Sequence, residues 1–133
     1  MDYGMEARLT GRTFDEAKAL VTDALKAEGF GVLSEIDVRA TLKNRIGVEI
    51  EPYLILGACN PQLAHRALEA DRAVGLLLPC NVVLRQTGDA VTVLMQRPES
   101  MLAVAHVPAL DGVAADADRK LRAALERLKS LKS

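Results

Sequence analysis

The sequence predicts an α+β fold in a single domain. Three observations carry that prediction: strand-like and helix-like stretches alternate along the chain, a Gly-containing loop joins two β-branched runs in its second half, and a long amphipathic helix closes it. No linker, low-complexity block or charge run divides residues 1–133. A chain of 133 residues can bury roughly two-thirds of the surface it exposes when unfolded, enough for a core without disulfides or a structural metal.

Tyr3 to Thr10 offers a first strand, closed by Gly11. Thr13-Phe14-Asp15-Glu16 has capping-box spacing, in which the Thr hydroxyl accepts from the third helical N–H and the Glu carboxylate accepts from the N–H of the cap. The helix it opens carries Phe14, Ala17, Val21, Ala24 and Leu25 on one stripe, with Lys18 and Asp23 off it, and Gly29 stops it. Phe30 to Ile36 reads as a strand. Asp37 then caps a short helix with Val38, Leu42 and Ile46 at intervals of four, ending near Gly47. Tyr53 to Cys59 is an uninterrupted apolar run of strand length, which implies burial on both faces or a central place in the sheet. Asn60-Pro61 supplies a cap followed by a first-turn Pro, whose missing N–H costs nothing there. Ala64, Ala67 and Leu68 should point inward from that helix, and His65 and Glu69 are spaced for a surface pair.

After Gly75 and the Leu76-Leu77-Leu78 run, Pro79 fixes the entry to a strand from Cys80 to Gln86. Thr87-Gly88-Asp89 is a hairpin loop, and Ala90 to Gln96 returns antiparallel. Beyond Pro98 a short helical turn covers Glu99 to Val104. The last helix, from about Asp111 to Leu131, has an apolar stripe of Val113, Ala117, Leu121, Ala124, Leu128 and Leu131. Its acids Asp111, Asp116 and Asp118 come early and its bases Arg127, Lys129 and Lys132 late, as the helix dipole prefers. The stripe also has coiled-coil spacing, which leaves a helix-mediated dimer contact beside plain packing on the sheet.

Composition excludes several partners. A net charge of -1 lacks the excess of Lys and Arg that displaces counterions from a polyanion, and the four aromatics, Tyr3, Phe14, Phe30 and Tyr53, are too sparse for a base-stacking platform. We therefore expect no nucleic acid. The longest uncharged stretches, Pro52 to Ala64 and Ala73 to Leu84, fall short of the ~20 apolar residues a spanning helix needs, so no membrane association is expected. The first residues have neither the basic start nor the apolar run of a secretory signal, and two cysteines are too few for a disulfide framework. A cytoplasmic protein with reduced thiols is the expectation. With so few rings, the core must be aliphatic, and Leu54, Leu56, Leu76, Leu78, Val82, Val93 and Leu121 should carry it.

The chemistry on offer is concentrated in two Cys-Asn pairs, Cys59-Asn60 and Cys80-Asn81. Cys59 should end a strand directly before a helix N-terminus, where exposed N–H groups and the positive dipole end favour a thiolate; Cys80 should open the next strand. These are the candidate catalytic residues, against a structural role as small buried hydrophobes. Asn60 opens a helix that could receive an anion, although plain capping is the simpler role. A metal set of Cys59 and Cys80 with His65 or His106 matches no zinc spacing, and neither a metal nor a cofactor is expected. Glu35, Asp37, Glu49 and Glu51 show no acid/base pairing, and no G-x-G-x-x-G, Walker, H-E-x-x-H or G-x-S-x-G motif is present, so the reading leans away from an enzyme.

Tyr53-Leu54-Ile55-Leu56-Gly57-Ala58-Cys59-Asn60-Pro61 with Ala64, followed by Leu76-Leu77-Leu78-Pro79-Cys80-Asn81-Val82-Val83, resembles the bacterial and archaeal family catalogued as domain of unknown function 302. The matching core spans about residues 36–98. The resemblance implies a two-layer α+β fold similar to the TATA-binding-protein class: an antiparallel-rich sheet with helices on one face, β-α-β(4)-α order with extra short helices, and homodimers. It also implies site residues Gly57, Cys59, Asn60, Pro61, Pro79, Cys80 and Asn81, but no reaction, since none is established for the family. Gln96-Arg97-Pro98 departs from the family pattern, which often has an acid before this Pro. Two readings follow. The first is a homodimeric binding or interaction module with a pocket at the Cys-Asn motifs and an unknown small-molecule ligand. The second is a thiol-dependent function, redox exchange or sulfur or soft-metal handling, through Cys59 and Cys80.

Overall fold

A computed structural model describes residues 1–131. Strand β1 (Gly4–Thr10) is followed by helix α1 (Phe14–Ala27), β2 (Gly31–Asp37), α2 (Val38–Ile46), β3 (Tyr53–Cys59), α3 (Pro61–Ala70), β4 (Cys80–Thr87), β5 (Ala90–Gln96), α4 (Pro98–Leu102) and α5 (Asp111–Lys129). Three 3-10 turns, Arg72–Leu77, Ala103–Ala105 and Pro108–Leu110, fill the connections. The strands form one antiparallel sheet in the order β1-β5-β4-β3-β2, and α1, α3, α4 and α5 bury their apolar residues in the core on one face of it. The α+β class, the strand order along the chain and the extra short helices are those expected. Among the described residues no helix is long and apolar enough to cross a membrane.

Local signals explain most boundaries. The Thr13 hydroxyl accepts from Glu16 N–H at 3.1 Å, while the Glu16 carboxylate accepts from Thr13 N–H at 2.8 Å, closing a capping box worth about 1 kcal/mol. Asp37 caps α2 through Ala40 N–H at 2.9 Å, and Asn60 caps α3. The tight turn between β4 and β5 is two residues, Gly88-Asp89, rather than three, because Thr87 still pairs with Ala90.

The sheet register lines up the core. On the covered face, Leu56, Val82 and Met95 stand side by side across β3, β4 and β5, and Leu54, Leu84 and Val93 form the next row. α1 buries Ala17, Val21, Ala24 and Leu25 against them, and α5 buries Val113, Ala117, Leu121, Ala124, Leu125 and Leu128. Each Val and Leu among these side chains contributes roughly 1.5–3 kcal/mol when fully buried, and the alanines less. The α5 stripe thus faces its own sheet, which removes the helix-mediated dimer contact its spacing allowed. Leu131 falls beyond the helix at 40% exposure, and Lys132 lies outside the described residues.

Several expectations need correction. Leu76 is 90% exposed instead of core, because the run before Pro79 forms a three-residue-per-turn helix in which Val74 and Leu77 turn inward and Leu76 falls between them. Leu78 is only half-buried. β3 is an interior strand, as one of the two alternatives had it, with Leu54, Leu56 and Ala58 buried on the covered face and Tyr53 and Ile55 half-buried on the other. Its other face is apolar because Ile55 belongs to a row, Ile36, Ile55, Val83 and Leu94, that runs directly across four strands of the uncovered face. α2 forms as expected but buries no residue, and a bulge between Val32 and Ser34 throws Leu33 outward to 73% exposure.

Candidate functional site

The end of β3 and the start of β4 place the two Cys-Asn pairs together. Ala58 pairs with Cys80 and Gly57 with Asn81, so Cys59 is one residue past the Cys80 register position on the neighbouring strand. Both cysteines are free thiols, Cys80 buried and Cys59 half-buried. Beside them a cleft of about 420 Å³ opens between the sheet end and α3, α4 and α5. Its walls are mostly hydrocarbon, including Phe30, Leu63, Leu68, Leu77, Leu102 and Val113. The polar groups on it are the Ser34 hydroxyl, the amides of Asn60 and Gln96 and the two thiols; none of the lining residues is charged.

Asn60 is a clamp as well as a cap. Its Oδ1 accepts from Leu63 N–H at 3.3 Å, and its Nδ2 donates to the Glu28 carbonyl at 3.4 Å, joining the start of α3 to the end of α1. Gly29 makes that approach feasible: it has φ +85°, and a Cβ there would lie 2.8 Å from Asn60 Nδ2. The Asn60 side chain is therefore committed to the fold.

Gly57 is required for a different reason. The side chains of Ser34 and Pro79 lie across its face of the sheet, and a Cβ at Gly57 would meet the Ser34 hydroxyl and sit 2.9 Å from Pro79 Cγ. Of the residues singled out in the sequence, Cys59, Asn60, Pro79 and Cys80 line the cleft, while Gly57 supports it from beneath. Pro61 is an exposed first-turn residue of α3, and Asn81 is exposed, its backbone N–H donating to Gln96 Oε1 at 3.0 Å.

Burial pushes the Cys59 thiol above its usual range, so it works against the thiolate that the helix start was expected to favour. The Cys80 thiol is pushed up to about 11, first by burial and then by the neighbouring Cys59. His65 is exposed and 3.4 Å from Glu69, and His106 sits exposed in a left-handed turn, so neither joins the thiols. Among the described residues no cluster of His, Cys, Asp and Glu is arranged to hold a metal ion. Glu35, Glu49 and Glu51 pair with Lys18, Lys43 and Arg85 at the surface.

The Cys80 shift predicts a pH dependence. An acid whose folded pKa lies above its unfolded value of 9.0 holds its proton more tightly when folded, so stability is intact below pH 9 and falls as pH rises towards about 11. Denaturant melts at pH 8, 9.5 and 11 should show this loss, and Cys80→Ala should lose less over the same interval.

A family model described as "Domain of unknown function DUF302" matches residues 5–128. The chain belongs to the DUF302 family. Its fold is similar to the crystal structure of an uncharacterized conserved protein DUF302 from Bacillus stearothermophilus, with TM-score 0.87 and 31% sequence identity over 96% of this chain and 99% of that one. No curated protein matches the chain.

At the Gln96-Arg97-Pro98 corner of this DUF302 chain the buried acid, Asp118, was not legible in the sequence. Arg97, the residue before Pro98, aims its Nε at Asp118 from 3.9 Å, without a hydrogen bond. The acid of this corner comes from α5: Asp118 is buried, accepts from Arg122 at 3.3 Å and receives the Glu99 N–H at 3.5 Å. Asp118 looked like an early-helix dipole residue, and nothing local marked it for burial. The cleft walls were equally hidden, because they converge from elements far apart in the chain.

Proposed function

We propose that this DUF302 protein is a homodimeric binding module that takes a small molecule into the cleft beside Cys59, Asn60, Pro79 and Cys80. The observation that carries this reading is the cleft itself. Its ≈ 420 Å³ falls in the range of small-molecule sites, and like them it is apolar with a few polar groups. The raised thiols favour binding over thiol chemistry, since a nucleophilic or metal-ligating cysteine must ionise. The basic side chains support a partner other than nucleic acid: Lys18, Lys43, Arg66, Arg85 and Arg127 are each spent in an ion pair with an acid. A cytoplasmic setting fits two unpaired thiols.

The dimer contact in this reading is the uncovered sheet face, where the Ile36, Ile55, Val83 and Leu94 row lies open with Ile36 half exposed. Two measurements test the proposal. An apolar fluorescent probe, N-phenyl-1-naphthylamine, should bind once per chain, and the cleft-filling variants Ala64→Phe and Ala117→Leu should weaken it at least tenfold. Sedimentation at micromolar concentration should give twice the chain mass, falling to one for Ile55→Lys. Absence of saturable probe binding, or rapid labelling of native Cys59 by a water-soluble thiol reagent, would overturn the binding module. A wild-type monomer would overturn the dimer.

A further inference from the structure

We infer that the cleft selects an uncharged, mainly aliphatic ligand with a hydrogen-bonding head, a step that rests on the binding reading above. Three features of the lining lead there. First, its side chains include no Lys, Arg, His, Asp or Glu, so an ionic group carried inside would lose its hydration without a partner. Arg97, between the lining residues Gln96 and Pro98, faces Asp118, which also pairs with Arg122.

Second, the polar atoms divide into engaged and available ones. Both side-chain heteroatoms of Asn60 are used in the Glu28 and Leu63 contacts, and Gln96 Oε1 accepts from Asn81 N–H. The Ser34 hydroxyl and the Gln96 amide nitrogen line the cleft with no hydrogen bond to the described protein. A hydroxyl, aldehyde or amide head can accept from Gln96 and exchange a hydrogen bond with Ser34. A carboxylate would find two neutral donors and no cation, and an ammonium would find no anion.

Third, the size limits the tail. A cavity of about 150 Å³ holds one benzene, so a cleft of ≈ 420 Å³ suits up to roughly seventeen non-hydrogen atoms. Its surface is aliphatic, with Phe30 the one aromatic ring among the lining residues, so stacking contributes little and hydrocarbon contact carries the affinity.

The test is displacement of N-phenyl-1-naphthylamine at pH 8 by three ten-carbon chains that differ only in the head: 1-decanol, decanoate and decyltrimethylammonium, each below its aggregation limit. Decanol should displace the probe at a concentration at least tenfold lower than either ion. Gln96→Ala should weaken decanol threefold or more, and by a larger factor than it changes the affinity of the probe, which has no head for Gln96 to hold. Decanoate or the ammonium matching decanol, with the probe still sensitive to Ala64→Phe, overturns the uncharged-ligand inference and leaves the pocket standing. A probe that does not bind, or whose binding ignores both Ala64→Phe and Ala117→Leu, overturns the pocket reading and this inference with it.

Discussion

Leu121→Ala is expected to lower folding stability by about 2–5 kcal/mol, because it removes a fully buried side chain and leaves a void that close-packed neighbours fill only in part. Leu121 sits midway along α5, on the stripe that also buries Ala117, Ala124 and Leu128. Against a typical domain stability of about 5–15 kcal/mol, the loss should lower Tm by on the order of 10 °C, measured by calorimetry or denaturant melts. Leu76→Ala is the informative partner. The same chemical change at a 90% exposed residue should stay within about 0.5 kcal/mol of the parent. Equal losses at the two positions would contradict the placement of Leu76 outside the core.

Gly57→Ala carries the second large effect. The added methyl has no room beneath Ser34 and Pro79, and both strands flanking Gly57 are fixed in register, so we expect a loss of about 1–3 kcal/mol from overpacking. The mechanism is checked by its remedy. Ser34→Ala removes the hydroxyl that the new Cβ would meet, and the double variant should recover part of the loss, a non-additivity expected only of residues in contact. Gly75→Ala, where a Cβ would meet nothing within 4 Å, should be close to neutral. Because Gly57 underlies the rim of the cleft, Gly57→Ala should also weaken probe binding. A variant with full stability and full probe affinity would show that this glycine is not needed for close approach.

Much of the fold was legible because its signals are local. The capping box at Thr13, the Asp37 and Asn60 caps and the hairpin around Gly88 each depend on side chains a few residues from the backbone they engage, so the sequence alone places them. The α5 stripe was legible for a similar reason: periodicity is a property of one helix. Leu76 was misread because hydrophobicity says that a residue prefers burial, while the three-residue turn decides which neighbours receive it.

At the site the division is sharper. The sequence by itself determined that two Cys-Asn pairs stand at a strand end and a strand start, with a helix opening between them. Only the tertiary structure decided what surrounds them. Antiparallel pairing of β3 and β4 set Cys80 opposite Ala58, α3, α4 and α5 closed a hydrocarbon cleft around the thiols, and Asp118 was drawn into the interior beside Arg97 and Arg122. The physical reason is desolvation: whether a thiol ionises or a carboxylate needs a partner depends on how much water its neighbours exclude, and those neighbours come from distant parts of the chain.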